Sequence, residues 1–223
     1  MKKLTFILGL AVIASASQAV TIANWTFETS APAGAGPHNA EVGVGLASGS
    51  HSVGTAVYSS PVGNGSARSF SSNTWSVGDY YQFQFSTAGL GSLVFGWDQA
   101  SSNTGPRDFQ LQYSNDGTSF TNFGSVYVVL ANASPNPTWN STVGSSLYSY
   151  SVNLSSVTAL NNQANVWIRL TDASTVSANG GVVSVGGTDR VDNVLATATA
   201  VPEPATMAAL GLGVAALLRR RKK

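Results

Sequence analysis

Asp79-Tyr80-Tyr81-Gln82-Phe83-Gln84-Phe85 decides the reading of the fold. Its period is two. Tyr81, Phe83 and Phe85 share one face while Gln82 and Gln84 share the other, the pattern of a half-buried strand. Arg107-Asp108-Phe109-Gln110-Leu111-Gln112-Tyr113 repeats it, with Phe109, Leu111 and Tyr113 on one side. Asn115-Asp116-Gly117 follows at once. Asp-Gly favours the positive φ of a hairpin turn, and residues 119–123 begin the return. Working outward, further strands are expected over 20–28, 52–59, 67–72, 92–99, 125–130, 147–154, 165–171, 182–185 and 190–197. Only 156–160 suggests a helical turn. The stretch 31–55, rich in Gly and Ser, reads as a long loop. Many short strands between Gly, Asn and Pro turns predict an all-β fold, a two-sheet β-sandwich of jelly-roll type.

The two ends read differently from this body. Lys2 and Lys3, the apolar run 4–14 and Ser17-Gln18-Ala19 have the order of a secretory signal peptide, with small residues at −3 and −1 of a cleavage site. At the other end, Pro202-Glu203-Pro204 precedes an uncharged run from Ala205 to Leu218 and the cluster Arg219-Arg220-Arg221-Lys222-Lys223. The run suits a helix in lipid, and its basic end stays cytoplasmic by the positive-inside rule. Fourteen residues give only about 21 Å of helix against a bilayer core of about 30 Å. Snorkelling arginines and local thinning make up the mismatch. The chain divides into a signal peptide helix (1–19), a β-sandwich domain (20–201) and a tail with an apolar helix (202–223).

This tail resembles the PEP-CTERM sorting signal of Gram-negative bacteria. The resemblance rests on Pro202, Glu203 and Pro204, the apolar run and the basic end. It implies recognition by an exosortase while the helix holds the chain in the inner membrane. Removal of the tail and delivery to the cell surface or an exopolysaccharide matrix would follow. A permanent C-terminal anchor is the alternative, with the same topology. The body also resembles the jelly-roll domains common in PEP-CTERM proteins, through Ile22-Ala23-Asn24-Trp25-Thr26-Phe27-Glu28, Asn103–Phe109 leading into Gln112–Gly117, and Arg190-Val191-Asp192-Asn193-Val194. Phe27-Glu28 and Asp192-Asn193-Val194 are similar to the ends of carbohydrate-binding modules of jelly-roll fold. In those modules the first and last strands lie close and share a structural Ca²⁺, which here implies Glu28 and Asp192 as metal ligands.

Composition excludes several functions. The formal net charge of +1 hides segregation, because most of the basic residues sit at the termini. The body has Arg68, Arg107, Arg169 and Arg190 against nine carboxylates, a balance of about −5, and no Lys. Nucleic-acid binding needs a basic patch that displaces counterions, and none is present. With no Cys there is neither a disulfide nor a thiolate site. The two histidines, His38 and His51, fall in the stretch read as a loop, without a partner in sequence. No G-x-S-x-G elbow, P-loop or dinucleotide fingerprint occurs.

Candidate ligand residues are Trp97 and Asp98, an aromatic beside a carboxylate, and Trp167 and Arg169. The latter two fall opposite Val166, Ile168 and Leu170 and so face solvent or a groove. The alternative for Asp98 is a strand-end residue capping a turn, and for each Trp a core filler. The first functional expectation is an exported, non-enzymatic protein of structural or adhesive role at the surface or in the matrix. The second is a carbohydrate-binding module, and the third a glycan hydrolase or lyase, which needs two facing carboxylates.

Overall fold

The computed structural model describes residues 18–29, 31–201 and 211. The signal-peptide reading (apart from Gln18 and Ala19), Pro202, Glu203 and Pro204, the apolar helix (apart from Gly211) and the basic tail lie outside these residues. No helix among the described residues is long and apolar enough to cross a membrane.

The strands are β1 (Ala19–Trp25), β2 (His38–Asn39), β3 (Val42–Gly43), β4 (Gly45–Ser50), β5 (Tyr58–Ser59), β6 (Phe70–Ser72) and β7 (Tyr80–Phe85). Then come β8 (Leu90–Ser101), β9 (Asp108–Ser114), β10 (Thr121–Asn122), β11 (Tyr127–Val128), β12 (Ser149–Asn153), β13 (Val166–Asp172) and β14 (Asp189–Ala200). Two seven-stranded sheets result. The first runs β12-β8-β14-β1-β3, with β6 and β5 continuing beside β14. The second runs β10-β9-β13-β7-β4-β2, with β11 beside β9. The longer strands from β7 to β9 and from β12 to β14 change sheet at each step, as in a jelly roll.

The alternation sets the two inner faces. Tyr81, Phe83 and Phe85 of β7 and Val166, Ile168 and Leu170 of β13 point inward from one sheet. Leu93, Phe95 and Trp97 of β8 and Val191, Val194 and Ala196 of β14 meet them from the other. In β14 the alternation slips between Asp192 and Leu195, where a register shift and Asn193 at φ 48° turn Val194 back into the core. The first and last strands are neighbours, with Ala19 opposite Thr199 and Trp25 opposite Val194.

Several expectations need correction. Stretch 31–55 is not a long loop, because β2, β3 and β4 lie in it. Strand β4 hides behind small residues: Gly45, Ala47 and Gly49 face inward. A Cβ on Gly45 would come within 2.5 Å of the Trp25 ring, and one on Gly49 within 2.5 Å of Tyr58. The inward row is bare because aromatic rings from elsewhere fill its space. Residues 182–185 form no strand, and Val182 and Val185 are exposed. Of 52–59 only Tyr58–Ser59 pairs. The helical turn of 156–160 is a single 3₁₀ turn, Thr158–Leu160.

Candidate functional site

The outer face of the second sheet collects most of the polar side chains that alternation turned away from the core. Asn122, Gln112, Arg169, Gln82 and Ser48 stand in register across β10, β9, β13, β7 and β4. Beside this row, Trp167 lies opposite Ser114 and Gln84. Trp167 and Arg169 thus share one surface, as their alternation predicts. Arg169 Nε donates to Gln82 Oε1 at 2.8 Å, Gln112 donates to Asn122 at 2.9 Å, and Thr171 donates to Gln112 at 3.0 Å. The Arg169 guanidinium carbon lies 3.8 Å from the centre of the Tyr80 ring and 3.4 Å from that of Phe120. Two rings that close cannot share one side of a planar cation, so one covers each face and the edge is left open. Trp167 is half-buried, resting on the β9–β10 turn, where Gly117 at φ 73° keeps the ring clear of a Cβ.

Trp97 and Asp98 stand elsewhere. Asp98 is not at a strand end but inside β8, and Trp97 is only 3% exposed. Trp97 stacks on Tyr150 at 5.5 Å and forms one wall of a cleft of about 280 Å³ with Leu111, Phe123, Tyr127 and Val152. The polar atoms of its aromatic side chains are spent inside the protein, and Ser125 and Ser151 add two hydroxyls to the lining. Trp97 Nε1 and the Tyr127 hydroxyl both donate to Gln99 Oε1, and the Tyr150 hydroxyl donates to the Val128 carbonyl.

Asp98 and Asp192 are cross-strand neighbours, a meeting of two candidate residues from different roles. Asn64 joins them: its side chain donates to Asp98 at 2.9 Å and its backbone N–H to Asp192 at 2.9 Å. Ser149 and Asn193 also donate to Asp98, and the Ser66 hydroxyl and the Asn193 N–H to Asp192. Burial foremost pushes the Asp192 carboxyl up to about 7. Glu28 reaches the same 62–68 loop from the exposed side, where Oε1 accepts the Arg68 N–H at 2.7 Å. These residues fit a shared Ca²⁺ poorly. The ion requires six to eight oxygens with free lone pairs, whereas the Asp192 oxygens both already accept N–H or O–H groups. Among the described residues, no three of His, Asp or Glu gather in a way that could hold a metal.

One arrangement was invisible in sequence. The His51 side chain is 2% exposed rather than solvated, with Nδ1 3.1 Å from Asp79 and Nε2 2.9 Å from the Ser72 hydroxyl. A carboxylate only accepts, so Nδ1 carries the proton and Nε2 accepts from Ser72. Burial lowers the His51 pKa, against the pull of Asp79, and favours this neutral form. The connectivity is that of a Ser-His-Asp relay. Ser72, however, is 1% exposed and faces Tyr81 in the core, so no reacting carbonyl can come within reach of it. The relay pins the end of β4 to β6 across the two sheets. Its members are 21 and 28 residues apart from His51, and no local signal links them.

Beyond the sandwich, β14 ends at Ala200, and residues 200–222 match the family model described as the PEP-CTERM protein-sorting motif. The C-terminus is a PEP-CTERM sorting signal. It marks the chain for export through the membrane-bound sorting route to the cell surface, and it implies processing by an exosortase. No curated protein matches the chain. Among solved structures, the chain is similar to the K2 cleaved adhesin domain of Lys-gingipain, at 13% identity over 80% of this chain and 97% of that one, with a TM-score of 0.46. It is also similar to the CBM22-1 xylan-binding domain from Paenibacillus barcinonensis, at 9% identity over 84% and 100%, with a TM-score of 0.45. A third is TmCBM61 in complex with beta-1,4-galactotriose, at 11% identity over 77% and 92%, with a TM-score of 0.37.

Proposed function

We propose that the body, residues 20–201, is a non-enzymatic glycan-binding module with an adhesive role in the polysaccharide-rich cell surface or matrix. The observation that carries this reading is the outer face of the second sheet. There Trp167 and an aromatic-clamped Arg169 stand among glutamine and asparagine side chains on consecutive strands. A pyranose has flat apolar CH faces and a hydroxyl rim. An indole face suits the first, and amide and guanidinium groups suit the second. The Trp97 cleft offers apolar walls with only the Ser125 and Ser151 hydroxyls to orient a sugar, and no amide or charged side chain lines it. The test is a glycan array on the full chain in detergent. Trp167→Ala is expected to weaken glycan binding by at least about tenfold, the effect of losing an aromatic anchor. Binding unchanged in this variant would move the site off this face.

We further propose that the exosortase removes the tail. Mass spectrometry of protein released from the surface is expected to find a C-terminus near Pro204. Recovery of Arg219–Lys223 on every molecule, all in the membrane fraction, would make the tail a permanent anchor instead.

A further inference from the structure

The charge on this face narrows the ligand. At the registered positions of β4, β7, β9, β10 and β13 that face outward, the charged side chains are Arg169 and Asp108, and Asp108, at the start of β9, is already paired with Arg107. The body is acidic overall, but most of its other carboxylates are placed elsewhere: Asp79, Asp98, Asp172, Asp189 and Asp192 are all buried. Asp116, in the adjoining turn, gives Oδ1 to Ser114, Thr118 and Ser119.

Two of the other three arginines are committed within the protein, and the third, Arg68, lies in the loop before β6 of the first sheet. Arg107 makes a two-point pair with Asp108 at 2.8 and 3.0 Å. Arg190 donates to the Val62 carbonyl and lies against Trp139. Arg169 spends only Nε, on Gln82, and among the described residues its two terminal nitrogens have no hydrogen-bond partner. Tyr80 and Phe120 hold the guanidinium flat and remove most of its rotational freedom, so its open edge is oriented before any ligand arrives. A fixed guanidinium edge is a fork for the two oxygens of a carboxylate.

We infer that the ligand is an acidic polysaccharide, a polymer of uronic acid whose carboxylate pairs with Arg169 while a neighbouring ring lies on Trp167. This inference rests on the glycan-binding reading above.

The test uses the full chain in detergent with polygalacturonate and with the same polymer after its carboxyls are reduced to alcohols. The native protein is expected to bind the acidic polymer about tenfold more tightly than the reduced one, the scale of one charge-assisted hydrogen-bonded pair. Arg169→Gln is expected to bind both alike, and Arg169→Lys to keep part of the preference. Unchanged circular dichroism melts in both variants separate this effect from misfolding. Equal binding of both polymers by the native protein overturns the acidic ligand and leaves glycan binding in place. Binding of neither polymer, with no other glycan retained on the array, overturns the glycan reading itself. Polyglutamate bound as tightly as polygalacturonate shows recognition of charge alone and also overturns the inference.

Discussion

Acidification from about pH 8 to about pH 5 is expected to raise the melting temperature, by roughly 10 °C. The cause is a set of buried carboxyl groups. Asp172 is 1% exposed, and one of its oxygens has no hydrogen-bond partner. Its burial, with the nearby charges of Asp79 and Asp108, pushes its pKa up to about 7 from the ordinary 3.8. Asp192 rises to about 7, and Asp189, wholly buried, rises well above the usual range. A raised pKa means that the folded state holds protons that the unfolded chain has lost. Stability is therefore greatest below the unfolded value and falls as pH rises from about 4 to about 7. Between pH 8 and pH 5 a group at about 7 gains about two units, or about 3 kcal/mol; for Asp172 and Asp192 together, less the opposing His51, and at 2–4 °C per kcal/mol for a domain of this size, the change is of order 10 °C. His51 opposes the trend, because its lowered pKa costs stability as the unfolded imidazole takes up a proton below 6.5. Asp108, held low chiefly by its hydrogen bond from Arg107, acts only in stronger acid. Three raised carboxyls outweigh the one imidazole, so the melting temperature should peak near about pH 4. Asp172→Asn, which mimics the protonated acid, is expected to melt higher than the native protein at pH 8 and close to it at pH 5. A melting temperature that climbs between pH 5 and pH 8 would contradict this account.

Trp25→Ala is expected to cost about 3–5 kcal/mol, again a fall of about 10 °C in melting temperature. Trp25 is 0% exposed and meets Phe83 edge-on at 5.3 Å and Phe85 at 6.4 Å. It also occupies the space that Gly45 leaves open. Its removal leaves a large cavity between the two sheets where β1 joins β14. Neither small residues nor the backbone can collapse into it fully. Trp167→Ala is the contrast, because the same deletion on the outer face is expected to change stability by no more than about 0.5 kcal/mol. Thermal melts of the two variants beside the native protein check both statements. A Trp25→Ala variant that melts with the native protein would mean that the core packs differently.

The two tryptophans also show what the sequence could tell. Alternation separates Trp167 from Val166, Ile168 and Leu170, and the sheet keeps them apart in the way the period of two requires. The same rule recovers β7 and β13 with ends off by no more than one residue, and β9 almost as closely. It fails for β4, since Gly and Ala carry no hydrophobic signal although their row is fully inside. It also fails for 182–185, where the chain makes only an isolated bridge from Val182 to Val176 and Val182 and Val185 lie at the surface. Trp97 and Asp98 are adjacent, but alternation sends one to the core cleft and the other to the opposite side of β8. Adjacency suggested a joint site that the pleat forbids. The meeting of Asp98 with Asp192 depends on strand order, and that of His51 with Ser72 and Asp79 on sheet crossing. Neither leaves a trace in local composition. The stacking of Arg169 between Tyr80 and Phe120 is likewise a product of β7, β13 and the approach to β10 meeting on one face.

The position of β14 bears on how the protein carries mechanical load. This strand of twelve residues leads directly into the sorting signal and lies between β8 and β1, paired with β8 along most of its length and with β1 from Val194 to Thr199. A pull on the C-terminus enters the body along the strand axis. Extraction then requires the two hydrogen-bonded ladders to slip together in shear, whereas an edge strand would peel away one bond at a time. Force applied at this point enters the centre of the first sheet, and reaches the opposite sheet only through the aromatic core between them.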